Sequence, residues 1–186
     1  MEPKTQNDHR KVEIEACLLG IMQTMSYEDI TVKDLAEKMN MARKTFYHYF
    51  PSKKACLESM IDRIIGEYNL NLLLVTREDS VLAELYEKRI HFWMEHRTFL
   101  NAINRNKLGS EFLNRFLIYL HREDSELRKQ LSRPHVEYDE DILFFFLSGH
   151  VFLLLKWCNE GFSLPVEEMV RKNIRLLHEP LLPPET

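Results

Sequence analysis

Two short amphipathic patterns stand side by side between Thr31 and Pro51, and they constrain the fold more than any other feature of this 186-residue chain. The first begins at Thr31, whose hydroxyl can pair with the acid of Asp34 three residues later in a capping box. The second ends at Pro51, which cannot continue a helix. Asn40 lies between them and tolerates the left-handed backbone of a tight turn. The segment therefore predicts two short helices joined by a turn, over residues 32–39 and 42–50.

Helical spacing of apolar residues extends through most of the chain. Only five glycines occur, and sustained alternation of Val, Ile and Thr, which would indicate strands, is hard to find. A first helix is predicted over residues 8–25, and Ser52 caps one that runs over residues 53–75. Further helices are predicted over residues 80–96, 98–106, 110–121, 125–131, 138–159 and 165–178. We therefore expect an all-α protein.

The second short helix lies in a cationic window. From Lys38 to Lys54 the chain has five Lys or Arg residues and no Asp or Glu, although its net charge is −4. Phosphate contacts require Lys and Arg, so a basic patch on an acidic chain is typical of a DNA-binding domain joined to a separate regulatory domain.

This second helix also separates two kinds of surface. Its inward residues, at i, i+4 and i+8, are Ala42, Phe46 and Phe50. Two neighbouring rows point elsewhere, namely Arg43 with Tyr47 and Lys44 with His48. Such a pair of helices forms a helix-turn-helix, whose second helix lies in the major groove of DNA. We expect a three-helix DNA-binding domain over residues 1–52 and a helical regulatory and dimerisation domain over residues 53–186.

The stretch ITVKDLAEKMNMARKTFYHYFPSKKACLESMI resembles the DNA-binding segment of TetR-family regulators. The family pattern is a Thr-hydrophobic pair, a Leu-Ala step, a Gly-Val turn, a Ser-x-x-Thr-Phe-Tyr helix and a closing Phe-x-Ser-Lys, and its spacing holds here without a gap. Asn40 stands where glycine is usual, and Ala42 stands where a capping serine is usual. We expect both departures to weaken the turn modestly without changing its geometry.

The resemblance also implies which residues contact DNA. Base-edge or phosphate contacts are implied for Arg43, Lys44, Thr45 and His48. A backbone or hydroxyl contact is implied for Thr31, and phosphate contacts are implied for Tyr47 and Lys53. Which of them reads bases stays open, as does the choice between core packing and phosphate contact for Tyr49. Lys54 is interpreted as an ordinary solvated side chain.

The segment LFFFLSGHVFLLLKWCNEGFSLPVEEMV is similar to the C-terminal segment of a TetR subgroup that includes regulators of dihydroxyacetone kinase operons. The helix over residues 138–159 is apolar nearly all round at its centre, so it must be covered on more than one side. The resemblance implies that the last two helices of two subunits form a four-helix bundle, while burial in a monomer core is the alternative. The interface is predicted to include Phe146, Gly149, Leu153, Trp157 and Ile174.

Aromatic residues are frequent in the middle helices. In the TetR family such a region encloses an effector pocket, and the residues expected to line it are Phe92, Trp93, His96, Phe116, Phe145 and His150. Ordinary core packing is the alternative for most of these rings. The same region is also compatible with a protein partner in place of a small molecule, as in the kinase-operon subgroup.

Several classes of function find no support in the sequence. GxSxG, HExxH, glycine-rich phosphate-loop and Asp-rich metal motifs are absent, and the eight histidines are scattered. Three cysteines at distant positions fit neither a disulfide framework nor a metal knuckle. The longest apolar run is interrupted by polar residues and too short to cross a bilayer. We therefore expect no enzymatic activity, metal, cofactor or membrane partner, and a soluble, cytoplasmic protein.

These observations together predict a sequence-specific transcriptional regulator that binds double-stranded DNA. The resemblance implies that the protein is a repressor. It would bind a palindromic operator as a homodimer and would be controlled by a small ligand. A DNA-binding co-regulator with a protein partner is the alternative. A helical adaptor that does not bind DNA is the rival from another class, and it leaves the acid-free basic window unexplained.

Overall fold

The computed structural model describes residues 6–75, 82–119 and 140–178, and all regular secondary structure in these ranges is helical. The helices are α1 (Gln6–Met22), α2 (Val32–Lys38), α3 (Arg43–Tyr49), α4 (Lys53–Val75), α5 (Leu82–Glu95), α6 (Arg97–Arg105), α7 (residues 109–119), α8 (Glu140–Asn159) and α9 (Val166–His178). The all-α prediction is confirmed. The helix predicted over residues 125–131 lies outside the described residues. No helix of the described part is long and apolar enough to span a membrane.

Local capping explains where the short helices begin. The Thr31 hydroxyl accepts a hydrogen bond from the Asp34 amide at 3.2 Å, and the Asp34 carboxylate accepts one from the Thr31 amide at 2.7 Å. This reciprocal pair is the predicted capping box. Hydrogen bonding to Thr31 lowers the pKa of Asp34. Asn40 has a φ of 49°, as expected for the turn that separates α2 from α3.

Two predicted details of the N-terminal helices are wrong. The first helix ends at Met22 because the amides of Thr24 and Met25 both bond to the Ile21 carbonyl, which closes the chain in a tight turn. Ala42, predicted to face inward, is exposed. It has extended backbone angles and precedes the first turn of α3, so it does not share the helix's inner row.

The N-terminal core forms between α1, α4 and the inner side of α3. Phe46 is fully buried, and its ring centroid lies 6.0 Å from that of Phe50. Leu18 from α1 and Leu57 from α4 are buried in the same core. The predicted anchoring role of the two phenylalanines is therefore confirmed. It fixes α3 from behind and leaves its opposite side free.

A second group of rings fills the space between α4, α5 and α7. We call this group the aromatic cluster, which consists of Tyr68, Phe92, Trp93, Phe112 and Phe116. Tyr68 is central, with its ring centroid 5.0 to 5.5 Å from three of the others. Around the cluster, α5 packs against α9, and α6 packs against α8.

Polar contacts join the two parts of the chain. A Glu15 carboxylate of α1, only 2% exposed, pairs with Arg63 of α4 at 2.8 Å and accepts a hydrogen bond from Ser59 at 2.7 Å. Asn106, which follows α6, accepts the Tyr27 amide at 2.6 Å and donates to the Met22 carbonyl at 3.2 Å. The α1–α2 connector (residues 23–31) is thus held by the C-terminal part of the molecule.

Candidate nucleic-acid interface

The outer surface of α3 is made of polar and cationic side chains. Five of its seven residues are exposed, and all five are among those predicted to reach DNA: Arg43, Lys44, Thr45, Tyr47 and His48. Tyr47 is 54% exposed and meets the buried Phe46 ring edge to face at 5.7 Å. The structure therefore brings these predicted residues together on one short, supported helix.

The charges on this surface are available to a partner. Within the described ranges, no carboxylate pairs with Arg43 or Lys44. Lys33 on α2 differs in this respect, because it pairs with Glu37 at 3.6 Å. Unpaired cations beside exposed hydroxyl groups are the arrangement that contacts phosphates and base edges.

Thr31 lies at the start of α2, exposed next to this surface. Its amide and its hydroxyl both interact with the Asp34 carboxylate in the capping box. The DNA contact implied for Thr31 stays a prediction. In the structure its polar groups primarily define where α2 begins.

Lys53 points away from the exposed surface of α3. Its ammonium donates hydrogen bonds to the carbonyls of Tyr27, Glu28 and Ile30, the last at 2.6 Å, and partial burial lowers its pKa. The phosphate contact implied for it stays a prediction, since the group already has three partners in the α1–α2 connector. No local sequence signal indicates this contact, because the connector lies more than 20 residues away.

Tyr49 and Lys54 also have defined surroundings. Tyr49 is partly buried against the core, and its ring stands edge-on to His48 at 5.2 Å. The Lys54 side chain is 68% exposed and lies 3.6 Å from the Glu58 carboxylate on the same helix. These positions agree with core packing for Tyr49 and with a solvated side chain for Lys54.

Known proteins share this arrangement. Residues 21–60, which include α2, α3 and the start of α4, match the family described as bacterial regulatory proteins, tetR family. Over this segment the chain is similar to the TetR family. EthR of Mycobacterium tuberculosis is 35% identical to this chain over 69 residues, which are 37% of this chain and 32% of EthR. The match thus spans about a third of that relative's length.

Solved structures extend the likeness to the whole fold. A TetR-family transcriptional regulator from Syntrophomonas wolfei aligns with 97% of this chain and 100% of its own, with a TM-score of 0.71 and 18% identity. FadR from Bacillus subtilis, solved in complex with stearoyl-CoA, aligns with 89% of this chain and 96% of its own, with a TM-score of 0.62 and 15% identity. The predicted TetR-family fold is confirmed, whereas the likeness to the dihydroxyacetone kinase subgroup stays a prediction.

The residues predicted to line an effector pocket fall into three environments. Phe92, Trp93 and Phe116 belong to the aromatic cluster. His96 stacks on Phe92 with a centroid separation of 4.1 Å, at the edge of that cluster. The His150 side chain on α8 is partly buried, its Nε2 is inaccessible, and burial lowers its pKa to about 4. Phe145 is 68% exposed, so the structure does not bring it to the others.

The residues predicted to form the dimer interface are similarly divided. Gly149 is exposed, and Leu153 and Ile174 are partly buried. Trp157 is buried within the chain itself, where its indole donates a hydrogen bond to the Leu164 carbonyl at 2.9 Å. The side chain of Phe146 lies outside the described ones.

Sequence reasoning missed part of the apolar surface of α8. Phe144, Phe145 and Phe152 are each at least half exposed. Phe145 and Phe152 share one face of the helix with Gly149, because residues i, i+4 and i+7 are neighbours on a helix. The i, i+4, i+7 spacing of these residues is the sequence signal that could have indicated this face.

Neither a metal centre nor a disulfide is seen in the parts of the chain described above. No group of three or more His, Cys, Asp or Glu side chains is arranged to hold a metal ion there. The three cysteines are free, and burial raises the pKa of Cys56 and Cys158 above the usual thiol range.

Proposed function

We propose that this TetR-family protein is a sequence-specific DNA-binding transcriptional regulator that acts in the cytoplasm as a homodimer. The observation that carries the proposal is the surface of α3. It presents unpaired cations and exposed hydroxyl groups to solvent, while Phe46 anchors the helix from behind. A short helix held in this way can enter the major groove without losing its support.

The residues of α3 are proposed to make two kinds of contact with DNA. We propose that Arg43, Lys44, Thr45 and His48 contact base edges or phosphates and that Tyr47 contacts a phosphate. A bidentate contact from arginine or lysine to guanine is worth about 1 to 3 kcal/mol of discrimination between bases. We propose that residues 1–52 form the DNA-binding domain and that the first turns of α4 complete its hydrophobic core.

Dimerisation through α8 and α9 accounts for the apolar surface of α8. Large rings that are half exposed on one helix face are costly in water and are typical of a subunit interface. A symmetric dimer would carry two recognition helices about 34 to 36 Å apart, or a multiple of that distance, and would match a palindromic operator. Repression follows if the operator overlaps a promoter.

Regulation is proposed to act through the C-terminal domain by a small ligand. FadR from Bacillus subtilis, which has a similar fold, was solved in complex with stearoyl-CoA, and this supports regulation by a small ligand. The contacts of Glu15 with Arg63, and of Tyr27 with Asn106, couple that domain to the helices around α3. A ligand that favours one arrangement of these helices would change DNA affinity by the same free energy with which DNA changes ligand affinity.

The proposal is tested by mapping protected sites on the DNA that flanks the gene of this protein. We expect protection of a palindromic sequence, and we expect it to disappear when Arg43 and Lys44 are both replaced by alanine. A variant with Lys88 and Lys156, which lie on α5 and α8, both replaced by alanine removes the same charge and serves as the control. Equal, sequence-independent binding by all three proteins would contradict the proposal.

A further inference from the structure

Arg89 of α5 lies at a point where four helices meet and where polar atoms are buried without partners. The Nε of Arg89, the Nε1 of Trp93 and the Nε2 of His150 are all inaccessible and make no hydrogen bond with the described residues. Buried polar groups are almost always hydrogen-bonded, so several such atoms in one region require an explanation. All three can be hydrogen-bond donors, depending on the tautomer of His150.

These groups lie close enough to influence one another. The charge of Arg89 acts both on the imidazole of His150 and on the phenol of Tyr68. The Tyr68 ring centroid lies 5.0 Å from that of Trp93, and a hydrogen bond with the Asn173 side chain of α9 acts to raise the pKa of His150. We call these five residues the Arg89 site; they come from α4, α5, α8 and α9.

The site carries a positive charge that the described residues do not balance. No described carboxylate pairs with Arg89, and its guanidinium carbon lies 5.3 Å from the centroid of the Tyr86 ring. Two carboxylates of the same helix are engaged elsewhere, since Glu84 pairs with Lys88 at 3.1 Å and Glu87 lies 3.9 Å from His91. Burial, and then the Arg89 charge, lower the pKa of His150, which keeps its imidazole neutral at physiological pH.

The surroundings of the site are aromatic. Tyr68 and Trp93 belong to both the Arg89 site and the aromatic cluster, so the polar groups border a wall of rings. A ligand that reaches the guanidinium would therefore place the rest of its structure against apolar surface. Binding sites for small organic molecules combine these features, an apolar lining with a few convergent polar groups.

We propose that the Arg89 site binds the carboxylate of an amphipathic organic acid, whose apolar chain or ring packs against the aromatic cluster. The inference rests on the proposed function and names its effector class. A carboxylate accepts two parallel hydrogen bonds from a guanidinium and can also accept from indole, imidazole and phenol. An uncharged ligand would leave the partly buried Arg89 guanidinium without a carboxylate partner among the described residues.

One cation surrounded by neutral donors suits a ligand with a single negative charge better than it suits a dianionic phosphate. Sites for dianionic phosphates commonly use the backbone amides of a helix N-terminus together with arginine side chains. The described parts of the chain bring only Arg89 to this place, and its other members are neutral. The site therefore favours a free acid over its coenzyme A ester.

The position of the site connects it to DNA binding. Tyr68 is on α4, the helix that carries Arg63, the partner of Glu15 of α1. The start of the same helix holds the α1–α2 connector through Lys53. A ligand that shifts α4 at Tyr68 would therefore move the support of α3.

Calorimetric titration of the full chain tests the proposal without DNA. The probes are decanoate and 2-naphthoate, each beside its neutral counterpart, decan-1-ol and naphthalene-2-methanol, with decanoyl-CoA as a further arm. We expect at least one acid to bind at least about tenfold more tightly than its alcohol, a difference of about 1.4 kcal/mol. Equal affinities for both acids and their alcohols, binding of neither acid, or binding of decanoyl-CoA alone would each overturn the proposal.

Two variants assign the effect to the site. Arg89→Gln should lower the affinity for the acid by about tenfold or more and leave the affinity for the alcohol unchanged, as one charged hydrogen-bonding partner is lost. Lys88→Gln removes the same charge from an exposed neighbour and should bind like the wild type. If Arg89→Gln does not fold, Trp93→Phe, which removes one donor and keeps a ring, should weaken acid binding severalfold. Wild-type affinity in the folded variant tested would overturn the proposal.

The outcome is separable from that of the proposed function. Acid binding that survives while DNA binding is absent would contradict the regulator hypothesis and leave the Arg89 site intact. DNA binding without acid binding would contradict the proposed Arg89 site and leave the regulator hypothesis intact. Retardation of operator DNA, measured with and without the bound acid, then tests whether the two sites are coupled.

Discussion

The Lys53 ammonium lies 4.2 Å from the centroid of the Tyr27 ring and donates a hydrogen bond to the Tyr27 carbonyl. The amide of the same Tyr27 donates to Asn106, which follows α6. Tyr27 is therefore held from α4 on one side and from the C-terminal domain on the other. Since the α1–α2 connector leads directly into the capping box of α2, this pair fixes where the helix-turn-helix begins.

Replacing Lys53 with methionine should lower the free energy of unfolding by about 2 kcal/mol, because charged hydrogen bonds to carbonyls of the connector are lost. Lys54→Met is the matched control. Its side chain is 68% exposed and forms only an i, i+4 pair, so we expect a change within about 0.5 kcal/mol. Urea denaturation followed by circular dichroism measures both. Equal effects of the two substitutions would show that the Lys53 contacts do not stabilise the connector.

The contrast between these two lysines shows what the sequence could predict. Adjacent residues of the same type have identical local patterns, and the capping of α4 by Ser52 was predictable because a serine hydroxyl accepts the Ala55 amide only three residues away. The contact of Lys53 with Tyr27 depends on how α4 packs against a connector more than 20 residues earlier. Local periodicity carries no information about that packing.

The same reasoning applies to the C-terminal domain. The bounds of α8 and α9 follow from apolar spacing and were predicted within two residues of the structure. Which face of α8 is buried depends on its neighbours, so the exposure of Phe145 and the burial of Trp157 could not be predicted. Arg89 was also missed, because an arginine on an amphipathic helix is usually solvated.

Lys44→Met should reduce the salt dependence of DNA binding. Each phosphate neutralised by a lysine contributes about 0.9 to the slope of log K against log salt concentration, so the slope should decrease by about that amount. Lys88→Met, with the same change in charge on α5, should leave the slope unchanged. Fluorescence anisotropy over a range of salt concentrations measures it. A lower affinity with an unchanged slope would point to a base contact from Lys44 and no phosphate contact.

Gly149→Ala should affect the stability of α8 and the affinity of the proposed dimer in opposite directions. A Cβ atom at this position meets no described atom within 4 Å of its own protomer, so alanine should stabilise α8 by about 0.5 to 1 kcal/mol if the chain were alone. If the α8 face around Gly149 packs closely on a partner, the same methyl group should weaken the dimer. Sedimentation equilibrium measures the dissociation constant. A tighter or unchanged dimer would exclude close helix approach at this residue.

The partly buried His150 should make the free energy of unfolding sensitive to acid. Burial lowers its pKa to about 4 in the folded protein, below the ordinary value of about 6.5. Below about pH 6.5 the unfolded chain takes up a proton that the folded chain does not, so stability present above that pH is lost as the pH falls towards 4, by up to about 1.4 kcal/mol per pH unit.

Urea denaturation of the His150→Gln variant at several pH values tests this dependence. The variant should lose less stability than the wild type between pH values of about 6.5 and 4, since it has no group at this position that titrates in that range. His91→Gln is the control, because the His91 side chain is 54% exposed. Parallel pH profiles for wild type and His150→Gln would mean that the imidazole is solvated in the folded protein.

Ala42→Ser should stabilise the helix-turn-helix. Ala42 occupies the N-cap of α3 with the extended backbone that a capping residue needs, yet it has no side-chain oxygen to accept an amide hydrogen of the first turn. Serine would supply that acceptor and add about 1 kcal/mol to the free energy of unfolding. Ala55→Ser, inside the first turn of α4, introduces the same hydroxyl where Ser52 already caps and should cost up to about 0.5 kcal/mol. If urea denaturation gave the same change for both variants, the backbone at residue 42 would not be that of an N-cap, and the start of α3 would lie elsewhere.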